Sequence, residues 1–129
     1  MRSFGILTVL ALGAALANAQ LLVSPGVPKV TGKKAVIKLT IKNTFSEKIE
    51  SARAQVFLLD DKGKVVGQAV KWVIGGTKDK PALAPNAETN FNFVVSSDKP
   101  FITNKVTITR LILEGGKVVD VNQNVAIQQ

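Results

Sequence analysis

The most regular stretch of the chain runs from Ala35 to Asn43 and reads AVIKLTIKN. Its apolar positions are Ile37, Leu39 and Ile41. Its alternate polar positions are Lys38, Thr40 and Lys42. Successive side chains of a strand point to opposite faces, so this alternation predicts a strand with one buried and one solvated face, as in antiparallel sheets.

The same two-residue period recurs along most of the chain. Valine and isoleucine outnumber leucine, and such β-branched residues favour extended backbone. Clusters of Gly, Pro, Asn, Asp and Ser separate the apolar runs, and no window keeps an amphipathic helical pattern. We therefore predict seven strands, at Leu21–Val23 (with Val27–Val30 as a weak continuation), Ala35–Asn43, Ile49–Leu59, Lys64–Ile74, Thr89–Val95, Asn104–Glu114 and Lys117–Ile127.

This strand pattern predicts an all-β protein. Short turns at Asp60–Gly63 and Gly115-Gly116 suit hairpins, since their glycines tolerate positive φ. An immunoglobulin-like antiparallel β-sandwich of about seven strands, with Greek-key connections, is the leading architecture, and a small closed barrel is the alternative. The first strand contains Pro25 and precedes Pro28, which predicts an edge strand or an ordered arm.

Two strands carry less regular patterns. In Lys64–Ile74 we place four apolar side chains on one face and Lys71 on the other; the four are Val66, Val70, Trp72 and Ile74. The strand Asn104–Glu114 does not alternate cleanly, because Arg110 shares the parity of Val106 while Leu111 and Leu113 lie opposite. Three explanations are open: a β-bulge, cover on both faces, or a protein-docking face.

The first nineteen residues, Met1 to Ala19, read as a secretory signal peptide. Arg2 supplies the positive end, an apolar stretch from Phe4 to Leu16 follows, and Ala17-Asn18-Ala19 has the form that signal peptidase accepts. The stretch is too short to span a bilayer, although an uncleaved anchor is the alternative. We expect one exported domain over residues 20–129, periplasmic or extracellular, with no later transmembrane segment.

The composition excludes most familiar chemistry. The 129-residue chain has no histidine and no cysteine, so Ser-His-Asp and Cys-His pairs are absent, as are the usual ligands of zinc, haem, copper and iron–sulfur clusters. The adjacent carboxylates Asp60 and Asp61 are better explained by a turn than by a calcium or hydrolase site, and no S-x-x-K motif occurs. We expect no catalytic residues, no metal and no cofactor.

The charge is strongly positive. The net charge is +8, and removal of Arg2 with the signal leaves +7. Nucleic acid is not the expected partner, because tyrosine is absent and the phenylalanines lie mostly on buried parity. A solvated lysine face that keeps the protein soluble, or attraction to an anionic surface polymer, explains the excess better.

One candidate interaction surface emerges from these residues. Trp72 is the only tryptophan, and it precedes a flexible glycine pair and a lysine-containing loop; such a residue is either core or a recognition device. The surface combines that segment with the lysines of the first regular strand. Its members are Trp72, Gly75, Gly76, Lys78, Lys80, Lys38 and Lys42.

A family resemblance comes from Phe57-Leu58-Leu59-Asp60-Asp61. Phe57, Leu59 and Asp61 lie where the FxLYD-type immunoglobulin-like domains of exported bacterial and archaeal proteins carry their name-giving residues, and Asp60 replaces the tyrosine. The strand ending at Asn43, the turn Asp61–Val66 and Leu83-x-Pro85 ahead of Phe91 also resemble that family. The resemblance implies an immunoglobulin-like scaffold and no particular activity.

Together these features predict a non-catalytic, exported β-sandwich module that serves protein interaction or structure in the cell envelope or outside it. Its partner would be another envelope or extracellular protein, bound for instance by adding a strand at a sheet edge. A carbohydrate- or polyanion-binding module is the alternative from another class, and it requires aromatic residues on a flat exposed face. An unusual hydrolase would instead require carboxylates that converge in a cleft.

Overall fold

A computed structural model describes residues 20–77 and 80–128 of the chain. The predicted signal peptide, Lys78, Asp79 and Gln129 lie outside the described residues. Within these residues, nine strands and one short α-helix, α1, follow one another. They are β1 (Leu21–Pro25), β2 (Lys29–Thr31), β3 (Lys34–Asn43), β4 (Ile49–Leu59), β5 (Val65–Ile74), β6 (Glu88–Ser96), β7 (Thr103–Leu113), β8 (Lys117–Val118), α1 (Val121–Asn124) and β9 (Val125–Ile127).

The strands form two sheets that face each other as a β-sandwich. One sheet has five strands, in which β3 pairs with β6 on one side and with β1 and β2 on the other, while β9 extends the sheet beyond β1. The other sheet has four strands in the order β5-β4-β7-β8. Every pairing is antiparallel except that of β1 with β9, which is parallel. The predicted all-β sandwich is confirmed.

The core lies between the two sheets and comes from alternate positions. On β3 the predicted inward residues are fully buried, whereas Lys38 and Lys42 are exposed. The inward set of β6 is also as predicted, with Phe93 and Val95 buried and Phe91 partly so. The small side chains of Ala52 and Ala54 on β4 are also fully buried. The period-two pattern therefore locates the core correctly on these strands.

A buried asparagine fastens one end of the sandwich. The side chain of Asn43 is fully buried, and its Oδ1 accepts a hydrogen bond from the N–H of Phe45 at 2.8 Å. Its Nδ2 donates to the carbonyl oxygens of Glu47 and Leu83, both at 3.0 Å, and lies 3.2 Å from that of Ala84. One side chain thus ties the end of β3 to the following turn and to the loop that precedes β6.

The prediction of a seventh strand from Lys117 to Ile127 is wrong. The Gly115-Gly116 turn does form, with φ of 80° and 79°, but β8 ends after two residues. Asp120 then caps α1 by accepting a hydrogen bond from the N–H of Asn122, as aspartate does at helix N-termini. Beyond this turn the chain reaches the other sheet, where β9 pairs with β1.

The first strand also differs from its prediction. β1 is not an edge strand from Leu21 to Val23, because β3 and β9 flank it there. Pro25 lies beyond the reach of β9, where a missing N–H interrupts no ladder on that side. β2 is the exposed edge segment, and all three of its residues are exposed.

Bulges explain the two irregular strands. In β7 the register with β4 shifts between Arg53 and Ala54, so Thr109 is an extra residue and the buried parity passes from Ile108 to Leu111. Of the three explanations, the bulge is confirmed. A second shift makes Val73 the extra residue of β5. The prediction that Val70, Trp72 and Ile74 share one face is therefore wrong.

Candidate functional site

The carboxylate side chains do not form a cluster in the described part of the chain. Residues 20–77 and 80–128 contain no group of three metal-ligating side chains. Asp60 belongs to the β4–β5 turn, where its Oδ1 accepts hydrogen bonds of 2.9 Å from the N–H groups of Lys62 and Lys64. These bonds favour the ionised form and hold the pKa of the Asp60 carboxyl below its ordinary value. The carboxylate thus shapes the turn.

Trp72 lies on the outer face of the four-stranded sheet and is half-buried. It pairs with Arg53 across the strands, and the Arg53 guanidinium lies 5.5 Å from the centre of the indole ring. Gly76 packs on the same ring, since a Cβ there would be 2.5 Å from Trp72 Cγ. Arg53 and Gly76 thus cover part of the indole ring, which lies outside the hydrophobic core.

Gly75 and Gly76 are both in the left-handed region, with φ of 61° and 80°, which glycine adopts freely. Gly75 is buried beside Glu50, where an added Cβ would be 2.0 Å from the carbonyl oxygen. Close packing therefore accounts for this glycine pair. The segment turns the chain tightly out of β5 and holds Trp72 in place.

Lys80 closes the side of the sandwich where β5 and β6 meet. Its Nζ donates a hydrogen bond of 2.9 Å to the carbonyl oxygen of Trp72 and lies 5.1 Å from the centre of the Phe91 ring. Lys71 does the same farther along, with its Nζ 3.0 Å from the carbonyl oxygen of Val94 and 5.3 Å from the Phe93 ring centre. Both lysines join the two sheets.

Lys38 and Lys42 lie on the opposite side of the molecule from Trp72. They project from the outer face of the five-stranded sheet, where they pair with Asn92 and Glu88 of β6. The structure therefore divides the predicted surface among two outer faces and one side of the sandwich, and Lys78 lies outside the described residues. These residues do not form one surface.

The feature that the sequence did not reveal is a free edge along β7. One side of β7 pairs with β4 over the whole strand. On the other side β8 pairs with Ile112 and Leu113, and Val119 donates to the carbonyl oxygen of Leu111. Within the described residues, no strand accompanies β7 from Thr103 to Arg110 on that side.

The free edge borders an open groove of about 370 Å³. Val106 and Ile108 of β7 form one wall, and α1 and β9 supply the other through Val121, Val125 and Ile127. Two of the outward side chains along the edge, Lys105 and Arg110, are basic and exposed. A groove with both aliphatic and polar lining, the polar part from Lys105, Thr107 and Asn122, thus runs beside a row of free backbone groups.

Two signals in the sequence point toward this edge. The broken alternation of Asn104–Glu114 marks the bulge, and Asp120, Asn122 and Asn124 mark the turn that ends the last hairpin early. Neither signal predicts that β9 joins the other sheet, and that step is what leaves β7 open. The edge therefore follows from the topology.

Comparison with known proteins yields only distant structural similarity. No family model and no curated protein matches the chain. The structure of IrmA from Escherichia coli superposes with a TM-score of 0.55 at 10% sequence identity, over 86% of this chain and 92% of IrmA. A Bordetella pertussis protein given the name ApaA superposes with a TM-score of 0.52 at 16% identity, over 78% of this chain and 87% of that protein. At such identities the likeness concerns the fold alone.

Proposed function

We propose that the protein is an exported, non-catalytic immunoglobulin-like module that binds another envelope or extracellular protein. It does so by accepting an extended segment of that partner as a new strand along β7, between Thr103 and Arg110. The observation that carries the proposal is the free edge of β7 beside a groove lined in part by aliphatic side chains. Strand addition of this kind draws affinity from main-chain hydrogen bonds and specificity from pockets for alternate side chains.

The geometry suits a segment of about eight residues. A strand advances about 3.3 Å per residue, so the free edge is about 26 Å long. Val119 donates to Leu111, a residue with a buried side chain, which shows that inward-facing residues of β7 direct their backbone groups to the open side. Because side-chain direction and hydrogen-bond direction alternate together, Val106 and Ile108 offer their N–H and C=O groups to a partner.

The side chains around the edge specify the chemistry of the segment. Alternate residues of an added strand would enter the groove beside Val106, Ile108 and Val125, which favours small or medium apolar side chains. The intervening residues would lie beside the exposed Lys105 and Arg110, which favours aspartate and glutamate. The preferred partner is therefore an extended segment in which apolar and acidic residues alternate.

A peptide selection tests this proposal. Immobilised protein is screened against a displayed library of random short peptides. The affinity of each selected peptide is then measured for the unchanged protein and for the double variant Lys105→Glu with Arg110→Glu. Lys38→Glu combined with Lys42→Glu is the matched control, because it reverses two exposed charges on the other sheet. We expect the apolar–acidic alternation among the winners and a loss of about five- to tenfold in affinity for the edge variant alone. Absence of enriched peptides, or equal losses in both variants, would refute strand addition.

The carbohydrate-binding alternative rests on Trp72 and remains a prediction. Sugars stack on exposed aromatic faces, but Arg53 and Gly76 already contact this ring. Phe57, on the same outer face, is also half-buried. We therefore favour the edge of β7.

A further inference from the structure

Three connections meet at one end of the sandwich, which we call the loop end. They are residues 30–34, which include the end of β2 and the start of β3; residues 60–66, which include the start of β5; and residues 97–102 between β6 and β7. The N–H of Ser97 donates to the carbonyl oxygen of Lys33 at 2.7 Å, and that of Asp98 donates to the carbonyl oxygen of Val66 at 3.1 Å. The three connections therefore form one continuous surface.

This surface exposes large aliphatic side chains. Val30 is 58% exposed, Val65 is 44% exposed and Ile102 is 71% exposed, one from each connection. An apolar pocket of about 290 Å³ lies between the first and third connections, beside Val30 and Phe101. Aliphatic groups thus project into solvent from all three connections.

Lysines surround the aliphatic side chains. Five of them, all exposed, belong to the loop end, namely Lys33, Lys34, Lys62, Lys64 and Lys99. Three aspartates, Asp60, Asp61 and Asp98, accompany them, and the Asp60 carboxylate is already engaged by backbone N–H groups of its turn. All four glutamates lie at the opposite end, at positions 47, 50, 88 and 114. The loop end therefore combines five lysines and three aspartates, a net charge of +2, with the exposed aliphatic side chains.

We propose that the loop end docks on an anionic lipid bilayer. Val30, Val65 and Ile102 would enter the boundary between headgroups and acyl chains, while the surrounding lysines contact lipid phosphates. A soluble polyanion would need the lysines alone and would leave the aliphatic side chains in water. The free edge of β7 begins beside the loop end, at Thr103, but this proposal uses side chains of the three connections and no backbone group of that edge. The two proposals are therefore tested separately.

Flotation with lipid vesicles tests the proposal. The purified protein is mixed with phosphatidylcholine vesicles that contain or lack phosphatidylglycerol, and the partition coefficient is measured. The loop-end variant Lys33→Gln with Lys99→Gln is compared with the control Lys38→Gln plus Lys42→Gln. The loop-end variant Val30→Ser with Ile102→Ser is compared with the control Val70→Ser plus Val118→Ser. The first control removes the same charge from the five-stranded sheet, and the second removes exposed valine side chains from the four-stranded sheet.

We expect binding to the anionic vesicles only. Each lysine near the surface contributes about fivefold to partitioning, so the double lysine variant should lose about 25-fold. The Val30 and Ile102 variant should lose at least about tenfold and both controls less than about threefold. Equal loss in variants and controls, or equal binding to neutral vesicles, would overturn the proposal. Polyphosphate binding that survives the Val30 and Ile102 substitutions, with no vesicle binding, would overturn it in favour of a soluble polyanion site.

Discussion

Replacement of Asn43 should test the packing of one whole end of the sandwich. Asn43→Ala removes the acceptor of the Phe45 N–H and the donor to the carbonyl oxygens of Glu47 and Leu83. The Leu83 carbonyl keeps its bond from the Ile49 N–H, so the Phe45 N–H is the group left buried without a partner. An orphaned buried donor costs about 1–3 kcal/mol and each lost bond about 1 kcal/mol, so the free energy of unfolding should fall by about 2–4 kcal/mol.

Asn43→Asp should be worse at neutral pH. The introduced carboxylate would face carbonyl oxygens that the amide now binds, and an unpaired buried charge costs several kcal/mol. Burial raises the pKa of this carboxyl in the folded state above its unfolded value, so the folded state binds the proton more tightly. The destabilisation should therefore grow as pH rises from the unfolded pKa to the folded pKa of this carboxyl. It should shrink as pH falls from 7 to 5.

Urea unfolding followed by circular dichroism provides the assay. With an m-value of about 1–3 kcal/mol/M, the midpoint for Asn43→Ala should drop by about 1–2 M. The matched control is Asn90→Ala, which removes an exposed hydrogen bond to Thr40 and should change the free energy by less than about 0.5 kcal/mol. Equal losses at Asn43 and Asn90, or a loss for Asn43→Asp that does not change with pH, would refute the reasoning.

Three further predictions concern other parts of the chain. Gly67→Ala should destabilise the fold by at least about 2 kcal/mol, because its Cβ would be 2.4 Å from the Ser96 carbonyl oxygen. The control is Gly63→Ala, whose Cβ would meet nothing within 4 Å and which should cost only about 1 kcal/mol for its positive φ. Asp60 should titrate below the ordinary aspartate value in NMR, and Asp60→Asn should flatten the loss of stability at acid pH, because a lowered folded pKa stabilises above the unfolded pKa and that stability is lost as pH falls through the folded pKa. Intact mass of the protein recovered after export should show a chain that begins at Gln20; a chain retaining Met1 to Ala19 would contradict the signal peptide.

The sequence predicts best where one face of a strand is buried and the other is solvated. On β3 and β6 the alternation is uninterrupted, so the side-chain period fixes which residues enter the core. The bond from the Phe45 N–H to the Asn43 side chain is local, since it joins residues two positions apart. The contacts of Asn43 with the loop before β6 join residues about forty positions apart, which no local pattern indicates.

The remaining differences come from single inserted residues and from long-range topology. Val73 adds one position to β5, which places Trp72 and Ile74 on opposite faces, whereas a regular strand would place them on one. The lysines of β3 face away from Trp72 because the two strands belong to opposite sheets. No local pattern specifies which sheet a strand joins, and for that reason the predicted surface is divided and the free edge of β7 was not foreseen.

The central claim is that the edge of β7 receives an extended partner segment, and amide chemical-shift mapping tests it most directly. The purified protein is titrated with the tightest peptide from the selection described above. The proposal predicts that the largest shifts fall on residues 103–110 of β7 and on β9, with the amides of Val106 and Ile108 becoming protected from hydrogen exchange. Shifts centred on Trp72 and Arg53, with the amides of Val106 and Ile108 unchanged, would contradict it.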